Sequence, residues 1–449
     1  MIPLLSSKAV YAKRREVLAR QLEPNRDLVV FFNAPEKVRN YDSHYAYRPD
    51  SFFYYMTGYA EEGSAFLLWR EKVRGAVRTR FEMFVLPRDP VMEQWNGYRY
   101  GVEGARKLLG ADEAHESSVL KRNILAWLAD KPTPGTGPRV YTNVFFEPEQ
   151  KKFLWDVLDQ FKPKMRRGAH ELESVHDVCA LVQAQRLIKD ADELKTLRKS
   201  GEINVAAHLK LMHHLRPGMK EYEVRSLLEG EYMRLGALDV AYGTIAAAGG
   251  NATILHYRAA NEECKKGDLL LVDAGCEYNC YASDITRTLP IGGKYSREQR
   301  LIMDLVMEAH QEALAQVRPG NLYSSIHKAA CDTLQEGLRK LKLLPKGTPF
   351  TRFYPHGTGH WMGLDVHDPC HYLDENGKSL RLKPGMVFTI EPGLYFMPQD
   401  RLAKKEFRGI GVRIEDDIVV TAKGKPEILT AGLPRAANEI EKEMARIVM

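Results

Sequence analysis

Gly267-Asp-Leu-Leu-Leu-Val-Asp273-Ala-Gly275 is the stretch from which the fold can be predicted. An apolar run starts at a glycine, ends at an acid, and is followed two residues later by another glycine. Gly385-Met-Val-Phe-Thr-Ile-Glu391-Pro-Gly393 repeats this arrangement further along the chain. A short apolar run bounded by glycines is typical of a buried strand. The two stretches therefore predict two related β units.

Each predicted unit carries two acids. Asp273 is followed by Asp284, and Glu391 is followed by Glu415. Residues on the facing strands of a hairpin can present their side chains to the same side, so the two acids of a unit are expected to lie together. Buried, unpaired carboxylates are costly and require compensating positive charge. Divalent metal ions are the simplest source of that charge.

A third stretch, His356-Gly-Thr-Gly-His360-Trp-Met-Gly-Leu-Asp-Val-His367, holds three histidines within twelve residues. Neutral imidazole is the commonest transition-metal ligand, and neighbouring glycines allow the backbone to approach a cofactor closely. Gly357 and Gly359 argue against a helix interior. The histidines are therefore predicted on or beside strands and not on a zinc-binding helix.

Four carboxylates and one imidazole suit two divalent ions, such as Mn²⁺ or Co²⁺, with carboxylates bridging them. Two ions about 3.5–4 Å apart can hold a hydroxide between them and stabilise a tetrahedral oxyanion. Any one of these acids, taken alone, is more often a helix cap or a salt-bridge partner. Because all of them occur together at the ends of paired apolar strands, a metal site is favoured over these structural roles.

Composition places limits on the class of protein. The chain has 449 residues and a formal net charge of +6, with the charges interspersed, so we expect no nucleic-acid partner. No apolar run is long enough to span a membrane, and the basic N-terminal segment is predicted to be an amphipathic helix and not a signal peptide. The six cysteines are few and irregularly placed, which favours a reduced, cytoplasmic protein.

The order of predicted elements indicates two domains. Residues 1–174 are expected to form an α/β domain, because strand and helix patterns alternate there. Residues 175–449 contain helices, a β unit, helices and a second β unit, which predicts a duplicated α+β domain with its active site between the halves. The predicted strands of the first domain are Leu28–Phe32, Ser51–Tyr59, Ala65–Trp69, Phe81–Leu86 and Arg139–Thr142, and its predicted helices include 8–22, 101–109 and 147–160.

Helices of the second domain are predicted over about 190–214, 220–235, 296–317 and 322–342. Two of them begin with patterns that resemble capping boxes, Asp190-Ala-Asp-Glu193 and Ser296-Arg-Glu-Gln299. The apolar stripe of the helix over 296–317 is expected to pack in the core.

Longer motifs resemble the metallopeptidases of the pita-bread fold, and among them the aminopeptidase P (Xaa-Pro aminopeptidase) group. The resemblance covers essentially the whole chain. Motifs of the N-terminal part are Arg39-Asn40, Asp42-Ser43, Tyr47-Arg48 and Thr57-Gly58. Motifs of the C-terminal part are Thr253–Tyr257, Val272–Tyr278, Ser283–Thr288, Gly363–Asp368, Ile390–Tyr395 and Arg408–Asp417. The implied fold is a pita-bread catalytic domain with pseudo-two-fold halves, preceded by a smaller α/β domain.

The resemblance also implies the roles of individual residues. The metal ligands would be Asp273, Asp284, His360, Glu391 and Glu415, with Asp284 and Glu415 bridging two ions. Mn²⁺ is the expected metal, with Co²⁺ or Zn²⁺ as alternatives. The implied reaction is release of the N-terminal residue from peptides with proline in second position, by attack of the bridging hydroxide on the carbonyl before proline.

The substrate pocket is expected to contain His256, His356 and His367. His256 and His367 would help to hold the oxyanion and the substrate backbone, and Glu391 would pass a proton to the leaving nitrogen. Arg413 is predicted to orient a bridging acid or a nearby carboxylate.

Three aromatic residues are predicted to bind substrate, namely Tyr242, Tyr395 and Trp95. Trp95 matches the family position at which the N-terminal domain of a neighbouring subunit reaches into the active site. This match implies a homo-oligomer, either a dimer or a tetramer. Without the resemblance, core packing would be the simpler interpretation of Trp95.

Two alternatives stay open. A prolidase, which cuts only Xaa-Pro dipeptides, would share the ligands and the fold but needs a positive group for the free carboxylate of the dipeptide. The sequence does not show where Arg381 or Arg401 points. A catalytically dead peptide-binding module is the alternative from another class, although none of the expected ligands is lost.

Overall fold

The structure is a computed structural model that describes residues 6–130, 132, 136–145, 147–165 and 170–446. The chain divides into two compact units, Met1–Gln185 and Arg186–Met449. The domain boundary predicted between residues 174 and 175 falls inside a strand of the first unit, Ser174–Asp177, and remains a prediction about independent folding. Every helix within the described ranges is too short or too polar to cross a lipid bilayer.

The first unit is built on one mixed sheet. Its helices are α1 (Lys8–Ala19), α2 (Ser51–Thr57), α3 (Pro90–Asn96), α4 (Gly101–Leu109), α5 (Leu120–Asp130) and α6 (Pro148–Met165), and α7 (Cys179–Leu187) contains the division between the units. Its strands are β1 (Asp27–Phe32), β2 (Val38–Asn40), β3 (Ser43–His44), β4 (Ala65–Val73), β5 (Ala76–Val85), β6 (Glu113–Glu116), β7 (Arg139–Thr142) and β8 (Ser174–Asp177). The strand order of the main sheet is β6-β5-β4-β1-β7-β8.

Strand β1 lies in the middle of this sheet, and all of its residues are buried. Side chains alternate between the two faces of a strand. Leu28 and Val30 pack in a core shared with α5 and α6, whereas Phe31 contacts Phe53 of α2 on the other face, with ring centroids 6.4 Å apart. Helices therefore cover both faces of the sheet, which explains why β1 is apolar from Leu28 to Phe32.

The strand predicted over Ser51–Tyr59 is wrong, because this segment forms helix α2. Its aromatic composition favours a strand, but capping contacts at both ends favour a helix. The Asp50 carboxylate accepts a hydrogen bond from the Phe53 amide at 2.8 Å, and Gly58 ends the helix in the left-handed conformation at φ 70°. A polar N-cap and a glycine C-cap decide the conformation of so short a segment.

The second unit alternates helix pairs with antiparallel strands. Its helices are α8 (Ala191–His214), α9 (Glu221–Arg234), α10 (Arg297–Ala315), α11 (Ser324–Lys340) and α12 (Ala437–Met444). Its strands are β9 (Asp239–Val240), β10 (Ile245–Ala248), β11 (Leu269–Ala274), β12 (Cys276–Tyr278), β13 (Tyr281–Ala282), β14 (Ile285–Pro290), β15 (Val387–Ile390), β16 (Gly393–Tyr395), β17 (Gly411–Arg413), β18 (Asp416–Val419) and β19 (Glu427–Ile428). The predicted α+β class and the two predicted capping boxes are confirmed.

Strand pairing in this unit follows the predicted duplication. Helices α8 and α9 precede a sheet of order β10-β11-β14, and helices α10 and α11 precede a sheet of order β15-β18-β19. In the first sheet Asp273 pairs with Thr286, and in the second Ile390 pairs with Asp416. In each sheet, the strand end near the first acid of the predicted pair therefore lies beside the start of the partner strand. The second acid of the pair lies at that start.

Candidate active site

The first pair of acids comes from the β11–β14 hairpin. Asp273 lies near the end of β11, and Asp284 directly precedes β14. The Tyr242 hydroxyl lies 2.6 Å from Asp273 Oδ1 and also contacts Asp284 Oδ1. One phenol proton cannot serve two ionised carboxylates, so the arrangement requires a further proton or a cation at this position.

The second pair comes from the β15–β18 hairpin. Glu391 directly follows β15, and Glu415 directly precedes β18. The Glu415 amide donates to the Thr286 carbonyl at 3.0 Å, and the Thr286 hydroxyl donates to Glu415 Oε2 at 2.7 Å. The Glu391 amide donates to the Thr358 carbonyl at 2.8 Å. The two hairpins are thus joined at the strand ends that carry the acids.

His360 completes the cluster from a loop that is bonded to β15. The Thr389 amide donates to the His360 carbonyl at 2.9 Å, and the His360 amide donates to the Thr389 hydroxyl at 3.2 Å. His360 Nδ1 lies 3.2 Å from the Trp361 carbonyl, and Nε2 lies 3.4 Å from Asp284 Oδ2. A backbone carbonyl on Nδ1 assigns the ring proton to that nitrogen, which leaves the Nε2 lone pair facing the acids.

Potential metal-binding atoms of Asp284, His360 and Glu415 all lie within 4.8 Å of one another. Asp273 and Glu391 line the same cavity. Carboxylate and imidazole donors at this spacing fit divalent cations of the Mn²⁺, Co²⁺ or Zn²⁺ type. The five ligands predicted from the sequence are therefore brought together by the fold.

Electrostatics at the cluster favour a bound cation. Burial raises the pKa of Asp284 well above its usual value, and the Asp273 charge adds to the effect. Burial, followed by the charge of Glu415, raises the pKa of Glu391, and burial, followed by the charge of Asp284, raises the pKa of Glu415. Carboxylates that cannot all ionise in a buried site are stabilised when positive ions bind them.

Arg413 offsets part of this negative charge. Its guanidinium contacts Asp273 through Nη2, donates from Nη1 to the Tyr395 hydroxyl at 3.1 Å, and donates from Nε to the Thr286 hydroxyl at 3.1 Å. The carboxylate that Arg413 contacts is therefore that of Asp273, and its orienting role remains a prediction.

A cavity of about 680 Å³ opens over the acids and is lined by His256, His356 and His367 as well. His356 Nε2 lies 2.8 Å from the Tyr395 hydroxyl, and burial, followed by the Arg413 charge, lowers the pKa of His356 to about 4. The His367 ring stands edge-on to that of His360, with centroids 4.2 Å apart. Burial also lowers the pKa of His367, so His356 and His367 border the acids as imidazoles whose neutral form is favoured.

The loop that carries these histidines is fixed by a buried ionic cluster that sequence reasoning missed. Asp368 follows His367 and lies 2.8 Å from Lys189 Nζ, and its other oxygen contacts Arg186 Nη2. All three side chains are almost completely buried. The sequence signal for this cluster was an acid directly after a pocket histidine, together with basic residues at the start of the domain.

Trp95 lies on α3 of the first unit and is 80% exposed. Core packing, the simpler interpretation of this residue, is therefore wrong. Its predicted contact with substrate remains a prediction.

Two hairpins that deliver four acids, and a loop that adds an imidazole, define a metal-dependent hydrolase with a duplicated catalytic domain. The sequence matches Metallopeptidase family M24 over residues 195–422 and the aminopeptidase P N-terminal domain over residues 11–133. The chain is 36% identical to the Xaa-Pro aminopeptidase of Escherichia coli (strain K12), over 98% of both proteins.

Solved structures agree with this assignment. Aminopeptidase PepP of Pseudomonas aeruginosa superposes with a TM-score of 0.91 at 39% identity, over 99% of each chain. A zinc-substituted aminopeptidase P of Escherichia coli, in complex with product, superposes with a TM-score of 0.91 at 35% identity, again over 99% of each chain. The chain belongs to metallopeptidase family M24, in its aminopeptidase P group, and the predicted pita-bread catalytic domain with a preceding N-terminal domain is confirmed.

Proposed function

We propose that the chain is an aminopeptidase that uses two divalent metal ions to release the N-terminal residue from peptides with proline in second position. The observation that carries the proposal is the convergence of Asp284, His360 and Glu415 within 4.8 Å, with Asp273 and Glu391 on the same cavity wall. The activity named for the relatives supports the substrate class.

The ions would be held by these five residues, and Asp284 and Glu415 would supply one acid from each hairpin close to His360. We propose Mn²⁺ as the metal, and the zinc-substituted relative supports Zn²⁺ as one that such a donor set also accepts. When bound, the ions supply Lewis-acid polarisation of the scissile carbonyl and activation of a water molecule.

The side chains around the ions supply the remaining steps. His256 and His367 line the cavity, where their imidazole N–H groups can donate hydrogen bonds to the substrate carbonyl. Glu391 lies on the wall of the same cavity, so its carboxylate can receive a proton and deliver it to the leaving proline nitrogen. Arg413 keeps Asp273 in position, and Tyr395 keeps His356 in position.

Proline recognition and assembly belong to the same proposal. A peptide nitrogen of proline carries no hydrogen, so shape and not hydrogen bonding must select it. Trp95 is exposed and is proposed to complete the pocket of a neighbouring subunit in a dimer or tetramer. None of the six cysteines, all of which lie in the described part of the chain, forms a disulfide bond. The reducing cytoplasm preserves this state, and we propose that location for the enzyme.

The test compares the tripeptide Ala-Pro-Ala with the dipeptide Ala-Pro after chelation and after return of Mn²⁺. Metal-dependent cleavage of the tripeptide is the expected result. Cleavage of the dipeptide alone would identify a prolidase. Cleavage of neither peptide by metal-loaded protein would favour the peptide-binding alternative.

Asp284→Asn adds a matched test of the ligand assignment. The variant keeps the shape of the side chain but removes a charge that the metal pair needs, so both metal content and activity should be lost. Asp304→Asn, at an exposed position of α10, is the control. An active Asp284→Asn variant with a full complement of metal would contradict the bridging role.

A further inference from the structure

We propose that Arg258 selects substrates that carry a carboxylate on the proline side of the cleaved bond. The inference rests on the proposed function, because that function defines which bond is cleaved. Arg258 follows the pocket residue His256 by two positions in the same loop, and both residues line the cavity over the acids. Arg258 therefore belongs to the wall of the substrate site.

The other cations of this wall are already engaged. Arg413 is held by Asp273, Tyr395 and Thr286, and Arg225 donates from Nε to Glu229 Oε1 at 2.7 Å. Arg258 is exposed and makes no hydrogen bond or ion pair with any part of the chain that the structure describes. It is therefore the cationic wall residue with donors available to a ligand.

The two arginines left open by the sequence do not compete for this role. Neither Arg381 nor Arg401 is among the described residues that line the cavity, and Arg381 Nη1 donates to the Gly320 carbonyl at 2.8 Å. Arg258 can therefore supply the positive group that a free carboxylate requires, although the sequence alone did not single out this residue.

A guanidinium binds a carboxylate through two parallel hydrogen bonds, which fixes orientation as well as charge. Two kinds of peptide present that group after proline. One is a short peptide whose C-terminal carboxylate reaches the wall, and the other is a longer peptide with Asp or Glu following proline. Because Arg258 is exposed, solvent weakens the interaction, and we expect an effect of about 2- to 5-fold on kcat/KM.

Matched substrate pairs separate the two sources. Ala-Pro-Ala is compared with its C-terminal amide, and Ala-Pro-Asp-amide is compared with Ala-Pro-Asn-amide. A loss of kcat/KM in the first pair alone identifies the terminal carboxylate, and a loss in the second pair alone identifies the side chain. Losses in both pairs support the proposal for both sources. Equal or faster cleavage of the uncharged member of both pairs overturns it.

Arg258→Gln tests whether this residue is responsible. The variant should abolish any carboxylate preference, whereas Arg225→Gln should keep it, because Glu229 already engages that guanidinium. Calorimetric binding of the dipeptide Pro-Leu and of Pro-Leu-amide gives a readout that does not depend on turnover. A preference that persists in Arg258→Gln overturns the assignment.

Failure of this inference is distinguishable from failure of the proposed function. If no Xaa-Pro peptide is cleaved in the presence of metal, the proposed function is wrong. If all of these peptides are cleaved with equal efficiency, only the role of Arg258 is wrong.

Discussion

Thr286 holds together groups from both halves of the catalytic domain. Its hydroxyl donates to Glu415 Oε2 and accepts from Arg413 Nε, and its carbonyl accepts the Glu415 amide. The residue is fully buried, so water does not compete for these bonds. A single side chain of the first hairpin thereby fixes the position of an acid that belongs to the second.

Residues of this kind separate what the sequence could predict from what it could not. The acids were predictable, because a carboxylate at the end of an apolar run is unusual and needs a partner. Thr286 and Thr389 were not, because hydroxyl residues are common in strands and their partners lie far away in sequence. Arg258 was missed for the same reason, since exposure and pairing are properties of the fold.

His208 should make stability depend on pH. It is fully buried on α8, and burial lowers its pKa to about 4. The unfolded chain takes up a proton below the usual pKa of 6.5 whereas the folded chain does not, so stability is lost as pH falls from 6.5 towards 4. The loss should reach roughly 3 kcal/mol, measured as the free energy of unfolding in urea at several pH values.

The His208→Gln variant should lack this part of the pH dependence, whatever its absolute stability. His214→Gln is the matched control, because His214 also contacts the carbonyl four residues earlier but is exposed. Identical slopes for His208→Gln and the unmodified chain would contradict the assignment.

Trp95→Ala should impair catalysis without destabilising the chain. An 80% exposed side chain contributes little to the core, so the free energy of unfolding, measured by thermal melting, should change by less than about 0.5 kcal/mol. If the residue completes the pocket of a neighbouring subunit, KM for Ala-Pro-Ala should rise and kcat should change less. An unchanged KM, in protein of confirmed oligomeric state, would count against the pocket role.

At the scale of elements, each hairpin supplies two of the four acids. The repeated pattern of glycine, apolar run and acid was enough to predict both hairpins, because strand length and burial follow from local composition. The helices that begin with capping boxes were predicted near their observed bounds for the same reason. Helix α2 was mispredicted because its caps oppose the preference of its aromatic residues.

Gly359 allows a test of the close contact between the loop that bears His360 and strand β15. A Cβ atom there would lie 1.9 Å from the Thr389 carbonyl oxygen, so the loop bearing His360 and strand β15 would have to separate. Gly359→Ala should cost at least about 2 kcal/mol of stability and weaken metal binding, as measured by melting and metal titration.

Gly357→Ala is the matched control in the same loop. Its Cβ would meet only the Gly359 carbonyl oxygen at 4.0 Å, an ordinary contact distance. This variant should therefore keep its melting temperature and metal affinity. Equal behaviour of the two variants would show that close packing against β15 does not position His360.

At the scale of the whole molecule, metal binding should govern how stability varies with pH. Asp284, Glu391 and Glu415 have raised pKa values in the folded chain. Without metal, these carboxyls make their full contribution to the free energy of unfolding below their usual pKa of about 4. That contribution is lost as the pH rises through the raised pKa values of the folded chain. Bound cations remove this loss because they stabilise the ionised forms.

The difference in melting temperature between metal-loaded and metal-free protein should therefore widen from about pH 5 to about pH 8. Calorimetry of the full chain with and without chelator measures this difference. The Glu415→Gln variant should show a smaller widening. A difference that stays constant or narrows with rising pH would contradict the electrostatic account of the cluster.

The division of the acids between two hairpins has a consequence for biosynthesis. A ribosome adds Asp273 and Asp284 long before Glu391, and Glu415 comes last. A nascent chain with only the first hairpin has neither the full ligand set nor the contacts through which Thr286 and Arg413 hold it. Peptidase activity therefore requires that the second hairpin has been synthesised and has folded against the first.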